Sequence, residues 1–174
     1  MSRIISYLHV FAINACSSQG LLQAGHILFP CFLGKNGRTH QKREGDGKSP
    51  IGRWKLETLN YRSDKVGRPG VQLPTRRLKQ SDGWCDAKGH RLYNRAVALP
   101  LAASHEKMWR KDGAYDLVVT TNHNQRPRKQ GGGSAIFLHV IRKGATGTEG
   151  CIALSEKHLR ILLGLCSRKC YLVI

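Results

Sequence analysis

One cysteine carries the most reactive chemistry in this sequence. Cys151 sits in TEGCIALS, directly after Gly150 and ahead of three apolar residues and Ser155. Upstream, IFLHV places His139 inside an apolar run. Three states suit such a thiol: a small buried hydrophobe, half of a disulfide, or a nucleophile whose proton passes to a histidine. The intervening VIRKGATGTEG contains three glycines and can bend back to set Cys151 beside His139. Gly150 leaves room beside the sulfur for a carbonyl, and N–H groups around 150–152 can receive an oxyanion. A helix starting after Ser155 would add positive potential that favours a thiolate. Glu149 reads either as a contact for a substrate amine or as a solvated carboxylate. His123, in TNHNQRP, reads as a structural or solvent-facing loop residue.

The elements that must hold these groups are mostly strands. GGGSAIFLHVIR is a strand entered through glycines, and it carries the histidine. LSEKHLRILLGLC is a helix capped by Ser155, with Leu159, Leu162, Leu163 and Cys166 at i, i+3, i+4 and i+7. CYLVI closes as a strand. Residues 3–13 read as a first strand; the rival reading, an export leader ending near INAC, is weakened by Ser6, His9 and Asn14 inside its apolar stretch. LLQAGHILFPCFLG gives two short strands about Ala24 and Gly25, 34–50 is a basic, Gly-rich loop, and IGRWKLETLNYR is a strand. Residues 63–95 form a long irregular segment, expected to fold over the cleft as a lid, in which Trp84, Tyr93 and Asn94 each read either as a substrate contact or as core packing or a loop pin. AVALPL and YDLVVTTN are strands, and SHEKMWRKDG between them is expected to be a short helix capped by Ser104. The sum is one mainly β domain over 1–174, with mixed sheets and one or two peripheral helices.

Charge is the extreme feature. With 29 basic against 11 acidic residues the formal net charge is +18, a field that draws polyanions such as nucleic acid, anionic lipid or an acidic wall polymer. The basic residues are scattered over loop-like stretches, and no ribonucleoprotein or helix-turn-helix pattern appears. That argues for general electrostatic association with anionic wall or membrane and against a specific nucleic-acid partner. The six cysteines, at 16, 31, 85, 151, 166 and 170, include no Cys-x-x-Cys spacing of a structural zinc site or thioredoxin-like motif, and all but Cys151 read as buried reduced thiols. No run approaches the roughly 18 apolar residues of a membrane-spanning helix.

The stretch GSAIFLHV…TGTEGCIALS resembles the active-site region of the L,D-transpeptidase family, the YkuD-type catalytic domain. His139, Thr148, Gly150 and Cys151 occupy the places of the family's strand histidine and its Ser/Thr-His-Gly-Cys motif. Ser49, Pro50, Gly52 and Trp54 in DGKSPIGRWKL are similar to its Thr/Ser-Pro-x-Gly-x-Phe/Tyr segment, and GWCDAKGHRLYNRAVALP to the aspartate and Tyr-Asn stretch of a basic subgroup. Glu149 replaces the usual histidine, Leu154 stands near a common Arg or Asn, and the His-to-Cys loop is short. The resemblance implies a mainly β sandwich of that catalytic type. It implies that Cys151 attacks the carbonyl between a diamino acid's L-centre and the terminal D-Ala of a peptidoglycan tetrapeptide stem. His139 would be general base and acid, Gly150 would offer its backbone to the oxyanion, and Thr148, Glu149, Trp84, Tyr93 and Asn94 would bind substrate. An amine would resolve the thioester to a 3→3 cross-link, water would give a carboxypeptidase, and a D-amino acid would give exchange. The same resemblance implies no cofactor or metal, carbapenem sensitivity, and a periplasmic or envelope location. A monomer is expected. The rival outside enzymes is a non-catalytic basic module that binds wall or nucleic acid.

Overall fold

The computed structural model describes residues 4–174; Met1–Arg3, with the one basic residue of the leader reading, lie outside the described residues. Among the described residues, fourteen strands and one α-helix follow in order. The first six are β1 Ile5–Ala12, β2 Gln19–Ala24, β3 Ile27–Phe32, β4 Arg38–Thr39, β5 Ser49–Pro50 and β6 Arg53–Tyr61. Next come β7 Thr75–Arg77, β8 Asp82–Cys85, β9 Arg95–Ala98, β10 His105–Lys107, β11 Leu117–Thr121 and β12 Phe137–Val140. β13 Ile152–Leu154, α1 Glu156–Leu165 and β14 Cys166–Val173 complete the chain.

The main sheet runs β11-β12-β13-β3-β2-β1-β14-β6-β7, and β6 also pairs with β11. The sheet therefore curls until it closes on itself, which removes the open edges that an extended sheet would leave. Side chains alternate across each strand, so one set faces the inside of this ring. Leu8, Val10, Leu22, Phe29, Leu138, Val140, Ile152, Leu154 and Leu172 fill that interior, and α1 adds Leu159, Leu162 and Leu163 to the same core. The Ser155 hydroxyl caps α1 by accepting the His158 N–H at 3.2 Å, as the Ser155 spacing predicts. A small sheet, β10-β8-β9, stands apart. A second apolar cluster of Leu78, Trp84, Met108, Tyr115, Val118, Phe137 and Cys151 lies on the outer side of β11–β13.

The SHEKMWRKDG segment is not a helix. His105, Glu106 and Lys107 pair with Cys85, Trp84 and Gly83, so cross-strand hydrogen bonds win over a weak local helix signal. The 63–95 segment is likewise more ordered than its composition suggests. It supplies β7 to the main sheet and β8 to the small one, and it buries Val66, Leu73 and Leu78. Among the described residues, no helix is long and apolar enough to cross a membrane.

Candidate active site

β12 and β13 lie side by side and parallel, with Leu138 opposite Ile152, His139 opposite Ala153 and Val140 opposite Leu154. Continuing that register back one residue sets Phe137 opposite Cys151. Leu138, Val140, Ile152 and Leu154 face the core, so Phe137, His139, Cys151 and Ala153 face outward together. His139 and Cys151 are thus diagonal neighbours on one face, about 7 Å apart at Cβ for such a pair. Both line a cleft of about 350 Å³. β13 is the element that pattern reading does not supply, because three apolar residues between a glycine and a helix cap are too short to show a period. Its presence moves the start of α1 a full strand away from the sulfur, so the helix dipole, which falls off within a turn, does little there.

Backbone groups hold the thiol. Cys151 Sγ donates to the Ala135 carbonyl at 3.1 Å and accepts the Phe137 N–H at 3.3 Å. Ala135 has φ 50°, a left-handed conformation that an alanine adopts only under constraint. Gly150, at φ 135°, is required for packing: a Cβ there would stand 2.7 Å from the Lys48 carbonyl oxygen. Its N–H already donates to Thr148 Oγ1 at 3.0 Å, so the oxyanion role assigned to the Gly150 N–H needs that bond to open. The Thr148 hydroxyl in turn donates to the Cys151 carbonyl at 2.7 Å. Ser49, fully buried, donates to the Gly150 carbonyl at 2.8 Å and accepts the Gly34 N–H at 2.9 Å. The Ser-Pro-x-Gly segment therefore braces the cysteine loop from behind.

His139 Nδ1 lies 2.8 Å from the Val140 carbonyl oxygen. A carbonyl only accepts, so Nδ1 carries the proton and Nε2 is left as the basic nitrogen. Tyr115 packs edge-on against the imidazole, with ring centroids 5.4 Å apart. Burial lowers the His139 pKa to about 4 and raises the Cys151 thiol to about 12. Both groups are therefore neutral at physiological pH, and among the described residues no hydrogen bond joins them. Catalytic contacts often tighten only when substrate binds.

The remaining wall is charged. Lys42, Glu44, Asp86, Glu106, Arg110 and Arg142 line the cleft, and Glu149 stands at its rim. Glu44, Asp86, Glu106 and Glu149 are four of the chain's 11 acidic residues. The Tyr115 hydroxyl donates to Glu106 Oε2 at 2.8 Å, and burial raises the Glu106 carboxyl above its usual range. Lys42, 6% exposed, is paired with Asp46. Glu149 pairs with Lys35 at 2.7 Å, but both are solvent-exposed and the bridge contributes little.

Trp84, Tyr93 and Asn94 do not line the cleft; they stand behind its wall. Trp84 packs edge-on against Phe137, with centroids 5.1 Å apart, and donates its indole N–H to Asn94 Oδ1 at 2.9 Å. The Tyr93 hydroxyl donates to Glu44, and Asn94 Oδ1 also accepts the Ala135 N–H at 3.2 Å. The aromatic-rich stretch thus positions the backbone that holds the thiol, and from the 63–95 segment only Asp86, among the described residues, reaches the cleft. His123 is buried against Trp54 with Nε2 3.1 Å from the Gly132 carbonyl oxygen, a packing role. All six cysteines are unbridged; Cys16 is exposed, against the expectation of burial. No cluster of three or more His, Cys, Asp or Glu side chains among the described residues is placed to hold a metal.

The family model for the L,D-transpeptidase catalytic domain, YkuD, matches residues 19–174. No curated protein matches the chain.

Proposed function

We propose, on the premise that this chain belongs to the L,D-transpeptidase catalytic-domain family, that Cys151 and His139 carry out acyl transfer between peptidoglycan stem peptides. The observation that carries this reading is the parallel β12–β13 register, which turns the thiol and the imidazole to one face and into one cleft. The sulfur attacks the carbonyl between the diamino acid's L-centre and terminal D-Ala while its proton passes to His139 Nε2. A C–S bond forms, the C–N bond to D-Ala breaks, and the imidazolium returns the proton to the departing amine. A second stem's neutral amine then attacks the thioester: a C–N bond forms, the C–S bond breaks, and the amine's proton passes through His139 Nε2 to the sulfur, restoring the thiol and leaving a 3→3 cross-link.

Because the resting pair is neutral, proton transfer accompanies the attack rather than preceding it. The Phe137 N–H on the sulfur stabilises the charge that develops there. The cleft wall carries both Glu44, Asp86 and Glu106 and the cations Lys42, Arg110 and Arg142, a mixed lining suited to a stem peptide that bears both amine and carboxylate groups. The family acts on peptidoglycan, which supports a cell-envelope location, and a charge of +18 favours association with anionic wall and membrane material there. Incubation with disaccharide-tetrapeptide, followed by mass spectrometry, tests the proposal. A dimer lacking one D-Ala is expected, with a carbapenem adduct on the native protein and none on Cys151→Ala. Tripeptide alone would assign hydrolysis, and unchanged substrate with no adduct would overturn the reading.

A further inference from the structure

The outer face of the main sheet is covered over β11–β13 and bare over β3, β2, β1 and β14. The register runs one row through Leu28, Gln23, His9, Val173 and Arg53, a second through Pro30, Leu21 and Phe11, and a third through Tyr7, Tyr171 and Lys55. A solvated sheet face ordinarily carries polar side chains. Here Tyr7 is 45% exposed, Phe11 51%, Leu21 41% and Leu28 53%, with Ile4 at 55% and Ile13 at 73% off the ends of β1. Patches of this kind mark interaction sites. Residues 1–43 contain no Asp or Glu, and neither does β14. The flank is basic: Arg53 stands 5.2 Å over the Tyr171 ring, and Lys55, Arg168 and Lys169 lie on the same strands or the next. Glu57, further along β6, is the carboxylate nearest this group in the chain.

We infer that this face seats the protein on a bilayer surface rich in anionic lipid, its aliphatic and aromatic side chains entering the headgroup–acyl boundary and its basic flank meeting the phosphates. Charge decides between occupants. A second copy stacked face to face would oppose Arg53 and Lys169 to their own equivalents on a chain of charge +18. Nucleic acid needs open ring faces for its bases. The rings here stack on one another, with centroids 5.6 Å apart for Tyr7 and Tyr171 and 6.4 Å for His9 and Phe11, so they present edges. An acidic wall polymer would satisfy the arginines and lysines but gives Leu21, Leu28 and Ile13 nothing to bury against. Only a surface both anionic and apolar satisfies both sets. Phe32 on the same face of β3 lines the cleft, so a seated protein holds the cleft mouth close to the membrane. The inference stands whether or not Cys151 is catalytic.

Vesicle flotation tests it with the whole chain, using phosphatidylcholine alone and phosphatidylcholine with about one-third phosphatidylglycerol, a share that gives a clear surface charge. Binding is expected to the anionic vesicles and not the neutral ones. The triple variant Phe11→Ser/Leu21→Ser/Leu28→Ser should lose binding about tenfold or more at unchanged charge. Arg53→Gln/Lys169→Gln should weaken it mainly at low salt. Should the triple variant fail to fold by thermal melting, Leu28→Ser alone is expected to lose about threefold. Equal binding to both vesicle types, no binding to either, or binding indifferent to the apolar substitutions overturns the inference. So does a concentration-dependent dimer, or single-stranded DNA binding, that the triple variant abolishes while vesicles are ignored.

Discussion

Replacing Asn94 with alanine should do more damage than any cleft-lining substitution outside the Cys151–His139 pair. The side chain is 1% exposed and ties three segments together. Its Oδ1 accepts the Trp84 indole N–H at 2.9 Å and the Ala135 N–H at 3.2 Å, and its Nδ2 donates to the His123 and Asn124 carbonyls, each at 3.0 Å. Truncation strands two donors and two acceptors where water does not readily follow. Each buried unsatisfied group costs about 1–3 kcal/mol. Carbonyls tolerate the loss better than N–H groups, so the two donors dominate, and an alanine held at the φ of 54° found for Asn94 adds about 1 kcal/mol more. The total is about 4 kcal/mol, and at about 2–4 °C per kcal/mol for a chain of this size Tm should fall by about 8–16 °C. Urea unfolding followed by tryptophan fluorescence gives the stability directly, with the slope m expected to stay unchanged. The same variant frees Ala135, whose carbonyl receives the Cys151 thiol, so acylation should slow even where the protein remains folded. A Tm drop under about 3 °C together with native acylation would show that this network neither stabilises the wall nor places the sulfur.

Ser49→Ala removes the brace between the Gly34 N–H and the Gly150 carbonyl; a loss of about 2–3 kcal/mol is expected in the same unfolding assay, and less than about 0.5 would dismiss the brace. Stability should also depend on pH through groups that burial keeps neutral. His139 and His123 fall to about 4 in the folded protein against 6.5 unfolded, so their contribution is complete above 6.5 and is lost as pH drops towards 4, by about 3 kcal/mol each. Cys31 and Cys151 rise from 9.0 to about 12, so an alkaline loss should set in above 9 and continue to about 12. A stability curve flat from pH 7 down to 4 would contradict those burials. Iodoacetamide should label Cys151 slowly at pH 8, where about one thiol in ten thousand is ionised, and its rate should climb tenfold per pH step without levelling. Peptide mapping isolates that site from exposed Cys16, and a plateau below pH 9 would mean an activated thiolate at rest.

Much of this architecture is legible in the chain because it depends on local pattern. Leu159, Leu162 and Leu163 behind Ser155 specify α1, and the aliphatic runs around Val118 and His139 specify β11 and β12. What escapes depends on partners distant in sequence. β10 exists because Cys85 and Gly83 lie across from His105 and Lys107. Nothing within SHEKMWRKDG announces that pairing. Trp84, Tyr93 and Asn94 carry the residue types of a ligand contact, yet aromatic rings and amides serve equally well to satisfy buried backbone, and only their enclosure separates the two uses. The serine of the Ser-Pro-Ile-Gly segment shows the converse. Its place in the motif is visible, but its service to Gly150, a hundred residues on, is a fact of folding.

The resting state of the pair follows from the same enclosure. Burial raises the thiol to about 12 and lowers the imidazolium to about 4, so enclosure opposes moving a proton from sulfur to ring. The neutral pair is therefore the favoured resting form, and the apolar cluster that fixes the sulfur also lowers its reactivity towards stray electrophiles. In the proposed reaction, substrate changes that balance by presenting a carbonyl whose developing oxyanion is bonded as the proton leaves. Such a bond needs a donor not already engaged, and the Gly150 N–H is held by Thr148. On the proposed reaction, the Thr148 hydroxyl would then govern whether the Gly150 N–H can serve the oxyanion, a reason for it to sit beside the cysteine that substrate binding alone does not supply.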